Sequence, residues 1–209
     1  MNILAIGAHF DDIELGCSGS LKKHVDRGDR VILYVATKSG FVSPEQKKVR
    51  DDDEAMAEGR AAAALIGGEL VCGGFDTLHL EFTDDLNAQL VRLIEKEKID
   101  LIYTHYKEDV HHDHAALARA SLHAGRHVPR MLAYHSNYYQ SDVRFTPDFY
   151  VDISDTWEIK EAVIRAHKSE YERVGDTWIT YFKKEALNNG CVCGVRMAEG
   201  FRCIKWLAQ

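Results

Sequence analysis

The sequence predicts an α/β fold in which helices cover both faces of a mostly parallel sheet. Two observations carry this prediction: short apolar runs alternate with longer segments of helical period, and the apolar runs are nearly continuous. The part of the chain after Met131 follows this rhythm less regularly. Ligands of such sheets bind beyond the carboxyl ends of the strands, so polar residues at those ends are the first candidates for a functional site.

The first half of the chain is expected to alternate four strands with four helices. Apolar runs at 3–6, 31–36, 69–72 and 101–104 predict the strands, and helical period marks 15–25, 45–66, 86–96 and a segment beginning near His112. Gly28 and the pair Gly67-Gly68 fit the ends of helices. The acidic run 51–54 predicts a solvated helix start.

The second half is expected to contain strands at 131–135 and 149–153 and a helix at about 156–171. We interpret Cys191 and Cys193 as alternating inward residues of a late strand, although such a pair can in principle bind metal. The chain has 209 residues, 45% of them hydrophobic, and shows no repeat or interdomain linker. We therefore expect one domain over 1–209.

Composition narrows the range of partners and compartments. A formal net charge of -7 argues against nucleic-acid binding and favours a small neutral or weakly charged ligand. Five scattered cysteines without a CxxC pair disfavour both a disulfide framework and a thiolate zinc site. The apolar N-terminal run lacks a basic leader and soon reaches His9 and Asp11, so we expect neither a signal peptide nor a membrane span, and a cytoplasmic location.

The first cluster of polar residues lies at 7–14, where the first predicted strand meets the first helix. His9 and Asp12 are three residues apart across this turn, a spacing that can bring an imidazole and a carboxylate to one metal ion. Asp11 then remains free. Taken alone, a His-x-Asp-Asp sequence is more often a helix cap than a catalytic motif.

The second cluster lies at 108–114 and follows the fourth predicted strand. His111 and His114 are one helical turn apart, and the ends of the first and fourth strands of a parallel sheet can be neighbours. His9, Asp12 and His114 thus form a candidate catalytic zinc site with a position left for water. Such ligands also accept Fe²⁺ or Co²⁺.

The remaining groups of the two clusters fit the hydrolysis of an amide. Asp11 is the candidate general base for the water, and His111 as an imidazolium can stabilise the oxyanion and protonate the departing amine. Asp113 can hold His111 charged and oriented, and Asp109 can shape the loop. Histidines at a helix start often lie on the surface without a function. Here, however, two clusters with complementary ligand types follow two strands, and a chance occurrence of both is a poor explanation.

The segments GAHFDDIELGCSGSL and EDVHHDHAALA resemble the LmbE-like, or PIG-L-type, family of zinc N-deacetylases. The resemblance implies a Rossmann-like three-layer sandwich and N-acetylglucosamine-type substrates. It also implies the roles just given: His9, Asp12 and His114 as ligands, Asp11 as base, and His111 with Asp113 at the oxyanion. Phe10 and His112 stand where the family often has proline, which affects the pocket more than the chemistry.

Two substrate contacts of that family align less well. The family's substrate-contacting arginine is expected in the second helix, where this chain has Ala55, and Arg50 is nearby but offset. Asp76 falls where family members place a sugar-hydroxyl contact, although a loop aspartate without such a role fits nearly as well. His105 is close enough in sequence to line the pocket. The aromatic stretch from Tyr134 to Tyr139, with Trp157 and Trp178, could stack on sugar faces, but aromatic residues in this part of the chain more often belong to the core or an interface.

The sequence therefore predicts zinc-dependent hydrolysis of the N-acyl amide, most simply N-acetyl, of an amino sugar, sugar nucleotide or glycoconjugate. The alternatives are an amidase that acts on a larger amino-sugar conjugate and a catalytically silent member of the family that binds metal. A nucleotide-binding module is disfavoured because no GxGxxG follows the first strand and because Asp11 and Asp12 would repel a pyrophosphate. Members of the family are often oligomeric, and the sequence leaves a homo-oligomer open.

Overall fold

A computed structural model describes residues 1–208, which form a seven-stranded sheet between two layers of helices and a separate two-stranded hairpin. The elements in chain order are β1 (Asn2–Gly7), α1 (Asp12–Asp26), β2 (Arg30–Thr37), β3 (Phe41–Val42), β4 (Lys48–Arg50), α2 (Asp52–Ile66), β5 (Glu69–Phe75), α3 (Asp84–Glu97), β6 (Leu101–His105), α4 (His112–Ala124), β7 (Arg130–Tyr134), β8 (Phe149–Asp152), α5 (Trp157–Ala166), α6 (Lys168–Val174), α7 (Thr177–Cys193) and β9 (Ala198–Trp206).

The strand order of the large sheet is β5-β2-β1-β6-β7-β9-β8. The strands β5, β2, β1, β6 and β7 are parallel, whereas β9 runs antiparallel to both of its neighbours. The chain leaves β1 towards β2 on one side and later adds β6 on the other side. The strand order therefore reverses between β1 and β6, which opens a crevice at their carboxyl ends.

Successive residues of β1 point into two different apolar cores, one on each face of the sheet. Ile3 and Ala5 pack with residues of α1, α2 and α5. Leu4 and Ile6 pack with residues of α3 and α4. Because both faces of the strand are buried, its apolar run is continuous, and this confirms the predicted α/β fold with a mostly parallel sheet.

The helix α1 lies unusually close to β7. A Cβ atom added to Gly16 would come within 2.1 Å of the Tyr134 ring, so only glycine permits this approach. The Tyr134 hydroxyl donates a hydrogen bond to the carbonyl oxygen of Ile6, 2.7 Å away in β1. These contacts fix the start of α1 against the ends of the central strands.

Three of the predicted elements differ from the structure. The segment 45–66 is not one helix: the hairpin of β3 and β4 precedes α2, which begins where the Asp51 carboxylate accepts the N–H of Asp53. The helix at 156–171 is divided at His167. Cys191 and Cys193 are exposed at the end of α7, so the prediction of a late strand there was wrong.

Within residues 1–208, no helix has both the length and the apolar character that crossing a membrane requires.

Candidate metal and active site

Two loops at the carboxyl ends of β1 and β6 form the candidate site. The strands are direct neighbours, with Ala5 beside Tyr103. The loop after β1 carries His9 and leads into α1, and the loop after β6 leads into α4, which begins at His112. Both sequence clusters therefore meet at the crevice, as their positions after strands predicted.

His9, Asp12 and His114 surround one point with the spacing of metal ligands. His9 Nδ1 lies 3.4 Å from Asp12 Oδ2 and 3.3 Å from His114 Nε2. His114 Nε2 lies 3.2 Å from Asp12 Oδ1. Tetrahedral ligands bound at about 2.0–2.1 Å from zinc are separated from one another by about 3.3–3.4 Å. The two imidazole nitrogens thus have the separation of one tetrahedral edge, and each lies at a similar distance from a different oxygen of the Asp12 carboxylate.

The outer nitrogen of each of these imidazoles contacts a carboxylate. His9 Nε2 donates to Asp113 Oδ2 at 2.8 Å, and His114 Nδ1 donates to Asp109 Oδ2 at 3.1 Å. When the outer nitrogens carry the protons, the inner ones present lone pairs to the centre of the cluster. This carboxylate-histidine arrangement is typical of metal sites, because it fixes the tautomer and the ring orientation.

The carboxylates also make the cluster attractive to positive charge. Burial lowers the pKa of His9, but hydrogen bonds with Asp113 and Asp12 outweigh burial and raise it to about 9. Burial likewise lowers the pKa of His114, but attraction to Asp12 and the hydrogen bond with Asp109 raise it to about 10. These raised pKa values show that the carboxylates favour positive charge at the centre of the cluster.

Asp11 stands apart from the three ligands and borders the cavity. Its φ of 145° lies in a region that side chains other than glycine rarely adopt, so the backbone is strained at this residue. Burial and then the negative charge of Asp12 raise the pKa of the Asp11 carboxyl to about 7, although Arg50 opposes this. A carboxylate with such a pKa is suited to accept a proton near neutrality.

His111 forms the N-cap of α4, and its environment differs from the predicted one. Its Nδ1 accepts the backbone N–H of Asp113 at 3.2 Å, so the proton of the neutral imidazole lies on Nε2. Burial, followed by the charges of His114 and His9, lowers the pKa of His111 to about 4. Such a pKa favours a neutral imidazole, which can donate through Nε2, over the imidazolium that the sequence predicted.

Within residues 1–208, the carboxylate of Asp113 forms its hydrogen bonds with groups other than the ring of His111. Asp113 is fully buried, and its oxygens accept from His9 and from the backbone N–H groups of Leu78 and Leu80. Asp113 thereby ties the loop after β5 to a candidate metal ligand. The charge of Asp113 raises the pKa of His111, but burial and the charges of His114 and His9 outweigh it.

Arg50 is buried at the end of β4 and reaches the wall of the cavity. Its guanidinium donates to the carbonyl oxygen of Phe10 and to Glu58, each at 2.9 Å, and lies 3.7 Å from Asp11 Oδ2. Asp76, by contrast, is exposed and forms an ion pair with Lys38 outside the residues that line this cavity. The structure therefore brings Arg50 to the site and leaves Asp76 outside it.

The cavity has a volume of about 230 Å³. Its floor consists of the charged and imidazole groups described above, and the aromatic residues Tyr138, Tyr139 and Trp178 form part of its walls. Trp157 instead lies in the core and is 4% exposed. An aromatic wall above a polar floor suits a ligand that has both apolar faces and hydroxyl groups.

The sequence did not reveal that Ser136 and Asn137 support the site, and it indicated for His105 only a position at the pocket. Ser136 Oγ donates to Asp12 Oδ1 at 2.9 Å, and the side-chain amide of Asn137 donates to both oxygens of Asp109 at 2.9 and 3.0 Å. His105 is buried behind Asp12, but its Nε2 accepts the N–H of Ala8, which leaves no lone pair there for a metal. The position of Ser136 and Asn137 just after β7 was the available signal.

Comparison with known proteins places this architecture in a family. The family model described as PIG-L, GlcNAc-PI de-N-acetylase, matches residues 4–125. The diacetylchitobiose deacetylase of Thermococcus kodakarensis is 28% identical over 228 residues, which cover 97% of this chain and 82% of that protein.

Solved structures share the fold at lower sequence identity. The N,N'-diacetylchitobiose deacetylase from Pyrococcus horikoshii superposes with a TM-score of 0.83 at 21% identity, covering 97% of this chain and 83% of that one. A 4-carboxy-2-hydroxymuconate hydratase from Pseudomonas putida superposes with a TM-score of 0.80 at 17% identity, covering 100% and 98%. Because the same fold carries different reactions, the chemistry must be argued from the site.

Proposed function

The chain belongs to the PIG-L family of GlcNAc-PI de-N-acetylases, and from this premise we propose that it hydrolyses the N-acetyl amide of an amino sugar with the help of zinc. The observation that carries the proposal is the cluster of His9 Nδ1, His114 Nε2 and the Asp12 carboxylate, with separations of 3.2–3.4 Å. Each histidine also donates its outer N–H to a buried carboxylate.

Zinc is the proposed cofactor, held by His9, Asp12 and His114. Two imidazoles and one carboxylate are the ligands of many catalytic zinc sites, whereas structural zinc sites are closed by a fourth protein ligand and favour cysteine. Zinc bound in such a site polarises a carbonyl group and acidifies water. Fe²⁺ and Co²⁺ accept the same ligands and remain competitors in the cell.

The residues around the ligands then supply the proton transfers. Asp11 accepts a proton from the attacking water, because its carboxylate borders the cavity and is not one of the three ligands. His111 donates through Nε2–H to the amide oxygen as negative charge develops on it. The proton that Asp11 has accepted is then available for the departing amine nitrogen, which yields acetate and a free amine.

The proposed substrate is an N-acetylated amino sugar, free or within a larger conjugate. Tyr138, Tyr139 and Trp178 offer ring faces to a sugar, and the polar floor offers groups for the acetamide. We further propose that residues 1–209 act as one deacetylase domain in the cytoplasm. The domain proposal is supported by the sheet, which runs without interruption from β5 to the late strand β9 and its neighbour β8.

The test is acetate release from N-acetylglucosamine, its oligosaccharides and its conjugates, measured with zinc-loaded and chelated protein side by side. We expect metal-dependent release. Asp11→Asn should retain zinc and lose about 10²–10⁴-fold in kcat, while His114→Ala should lose both zinc and turnover. Full activity of Asp11→Asn would contradict the assignment of the base. A zinc-loaded protein that releases no acetate from any of these compounds would contradict the proposed reaction.

A further inference from the structure

His167 is a buried histidine that the proposed mechanism does not use. Its ring lies between Arg50 and Glu14, which belongs to the first turn of α1. The guanidinium of Arg50 in turn lies 3.7 Å from Asp11, the proposed base. His167, Arg50 and Glu14 are all almost completely buried. Three ionisable side chains therefore meet in the interior, directly beside the base of the proposed reaction.

The position of His167 results from the break between α5 and α6. His167 caps the end of α5 and the start of α6, and its ψ of 69° is far from the helical value. Its backbone N–H donates to the carbonyl oxygen of Ile164, and its own carbonyl oxygen accepts the N–H of Tyr171. The ring takes no part in capping α6. The imidazole is therefore available for the contacts with Arg50 and Glu14.

The two nitrogens of the His167 ring have different partners. Nδ1 lies 3.3 Å from Nη2 of Arg50, and Nε2 lies 3.4 Å from Oε1 of Glu14. Because a guanidinium can only donate, Nδ1 presents its lone pair to Arg50, and the proton of the imidazole lies on Nε2, facing Glu14. Burial lowers the pKa of His167, but the charge of Glu14 and its hydrogen bond raise it above the ordinary value. Glu14 thus holds the proton on the side away from Arg50.

The guanidinium of Arg50 connects His167 to the backbone before the base. Its Nη2 donates to Glu58 Oε2 at 2.9 Å and to His167 Nδ1 at 3.3 Å. Its Nη1 donates to the carbonyl oxygen of Phe10 at 2.9 Å and lies 3.7 Å from Asp11 Oδ2. Because the guanidinium is planar and rigid, a rotation that changes the contacts of Nη2 also moves Nη1.

The first turn of α6 holds the other partner of Nη2. Ser169 donates to Glu58 through its backbone N–H at 2.7 Å and through its hydroxyl at 2.8 Å. The break at His167 therefore constrains Arg50 twice, once directly and once through Glu58. Without the ring of His167, one buried proton of Nη2 would lose its acceptor, which is costly in the interior. The guanidinium would then turn towards another acceptor and displace the Phe10 carbonyl.

On the basis of the proposed deacetylase function, we infer that His167 is a positioning residue for the base Asp11 and acts through Arg50. Its Nδ1 fixes one nitrogen of the guanidinium, and the other nitrogen fixes the backbone directly before Asp11. The φ of 145° at Asp11 persists only because the surroundings hold it. His167 does not line the cavity of the candidate site. Its substitution should therefore displace the base without weakening the binding of substrate.

Three substitutions of His167 separate positioning from the mere filling of space. His167→Leu removes both ring nitrogens and should lower kcat about tenfold with KM within about twofold of the wild type, because a small displacement of the base is enough for such a loss. His167→Asn keeps an acceptor close to the place of Nδ1 and should recover most of kcat. His167→Gln carries its amide close to the place of Nε2 and should recover little. Steady-state acetate release by the zinc-loaded protein gives both constants, and zinc content shows whether the metal site is retained.

The matched control is His24, a second buried histidine in the last turn of α1. Its ring nitrogens contact Asp29 at 2.7 Å and the hydroxyl of Tyr103 at 3.1 Å. His24→Leu should lower the thermal stability as His167→Leu does and leave kcat unchanged. An equal loss of kcat in both leucine variants, or equal recovery by His167→Asn and His167→Gln, would overturn the inference. If His167→Leu does not fold, the comparison of asparagine with glutamine carries the test.

A double-mutant cycle tests whether the effect of His167 passes through Arg50. We expect His167→Leu to lower kcat about tenfold in the wild type and less than about twofold in the Arg50→Lys variant, because lysine has already lost the planar fork. Equal losses in both backgrounds would show that His167 acts by another route and would contradict the inference.

Crystal structures of the variants separate this inference from the proposed function. We expect the Asp11 carboxylate to move by about 1 Å in His167→Leu and to keep its wild-type position in His167→Asn. Such a displacement, in a protein that releases no acetate from any N-acetylated amino sugar, would support the positioning role and contradict the proposed reaction. Acetate release by the wild type, together with an unmoved Asp11 in His167→Leu, would leave the deacetylase function standing and overturn the role of His167.

Discussion

Arg50 donates a hydrogen bond of 2.9 Å to the carbonyl oxygen of Phe10, the residue that directly precedes the proposed base Asp11. The N–H of Phe10 donates to Ser39 Oγ at 2.8 Å, so both polar groups of this residue are fixed. Glu58 in turn holds the guanidinium of Arg50. This chain of contacts supports the strained backbone at Asp11, where φ is 145°.

We predict that Arg50→Lys lowers kcat about 10–100-fold and leaves KM close to that of the wild type, because a shift of the base by about 1 Å is enough for such a loss. Lysine keeps the charge but cannot bind the Phe10 carbonyl and Glu58 through a planar fork. Steady-state kinetics on the best substrate measures both constants. Arg60→Lys, on the exposed side of α2, is the control. A raised KM with unchanged kcat would instead support the substrate contact that the sequence suggested.

Asp109 is predicted to act through His114. Asp109→Asn should weaken zinc binding about 10–100-fold, because the amide orients the imidazole less strongly and does not favour the tautomer with Nδ1–H. Competition with a chromogenic chelator measures the affinity. Asp53→Asn, an exposed position of α2, should bind zinc like the wild type. Unchanged zinc affinity of Asp109→Asn would show that the contact with His114 does not tune the ligand.

The neutral state of His111 leads to a specific mutational pattern. His111→Phe removes the Nε2–H donor and should lower kcat about 10²–10³-fold, as loss of an oxyanion donor does. His111→Gln keeps an N–H donor and should recover part of that loss. If the sequence-based prediction of an imidazolium acid holds instead, glutamine cannot supply the proton and the two variants should be equally slow. Zinc content, measured in both variants, shows whether the metal site is retained.

Glu185 should make the stability of the protein depend on pH. Burial raises the pKa of its carboxyl to about 7, with Glu199 adding to the shift and Lys160 opposing it. Above the unfolded-state pKa the unfolded chain releases this proton first, so the folded state loses stability as pH rises from about 4.5 to 7. Glu185→Gln removes this loss of stability and should raise Tm by a few degrees at pH 8 and by little at pH 4.5. An equal change of Tm at both pH values would contradict the shift.

The central sheet and the meeting of the two polar clusters were predictable from the sequence, because both depend on local patterns. Continuous apolar runs reflect strands buried on two faces, and His9 and His114 each follow such a run. The partner of Asp113 was not predictable in the same way. Its contact joins residues 104 positions apart and depends on which way one side chain turns.

The errors in the second half of the chain have a similar physical origin. Cys191 and Cys193 alternate as strand residues do, but they occupy the last turn of α7, whose opposite side packs through Ile179, Phe182 and Ala186. The hairpin of β3 and β4 contributes only a few residues to each strand. Strands this short leave too few residues for a pattern of period two to be distinguished from a helix.

The three proposed ligands lie in two segments, at the junction of β1 with α1 and in the first turn of α4, and His9 and His114 are separated by 105 residues in sequence. A cation that binds all three would connect one side of the crevice to the other and act as a removable cross-link. Such a cross-link forms only in the folded chain, so ion binding and folding are linked. An ion present at about a thousand times its Kd would add roughly 4 kcal/mol to the free energy of unfolding. The thermal resistance of this protein should therefore report the free metal concentration around it.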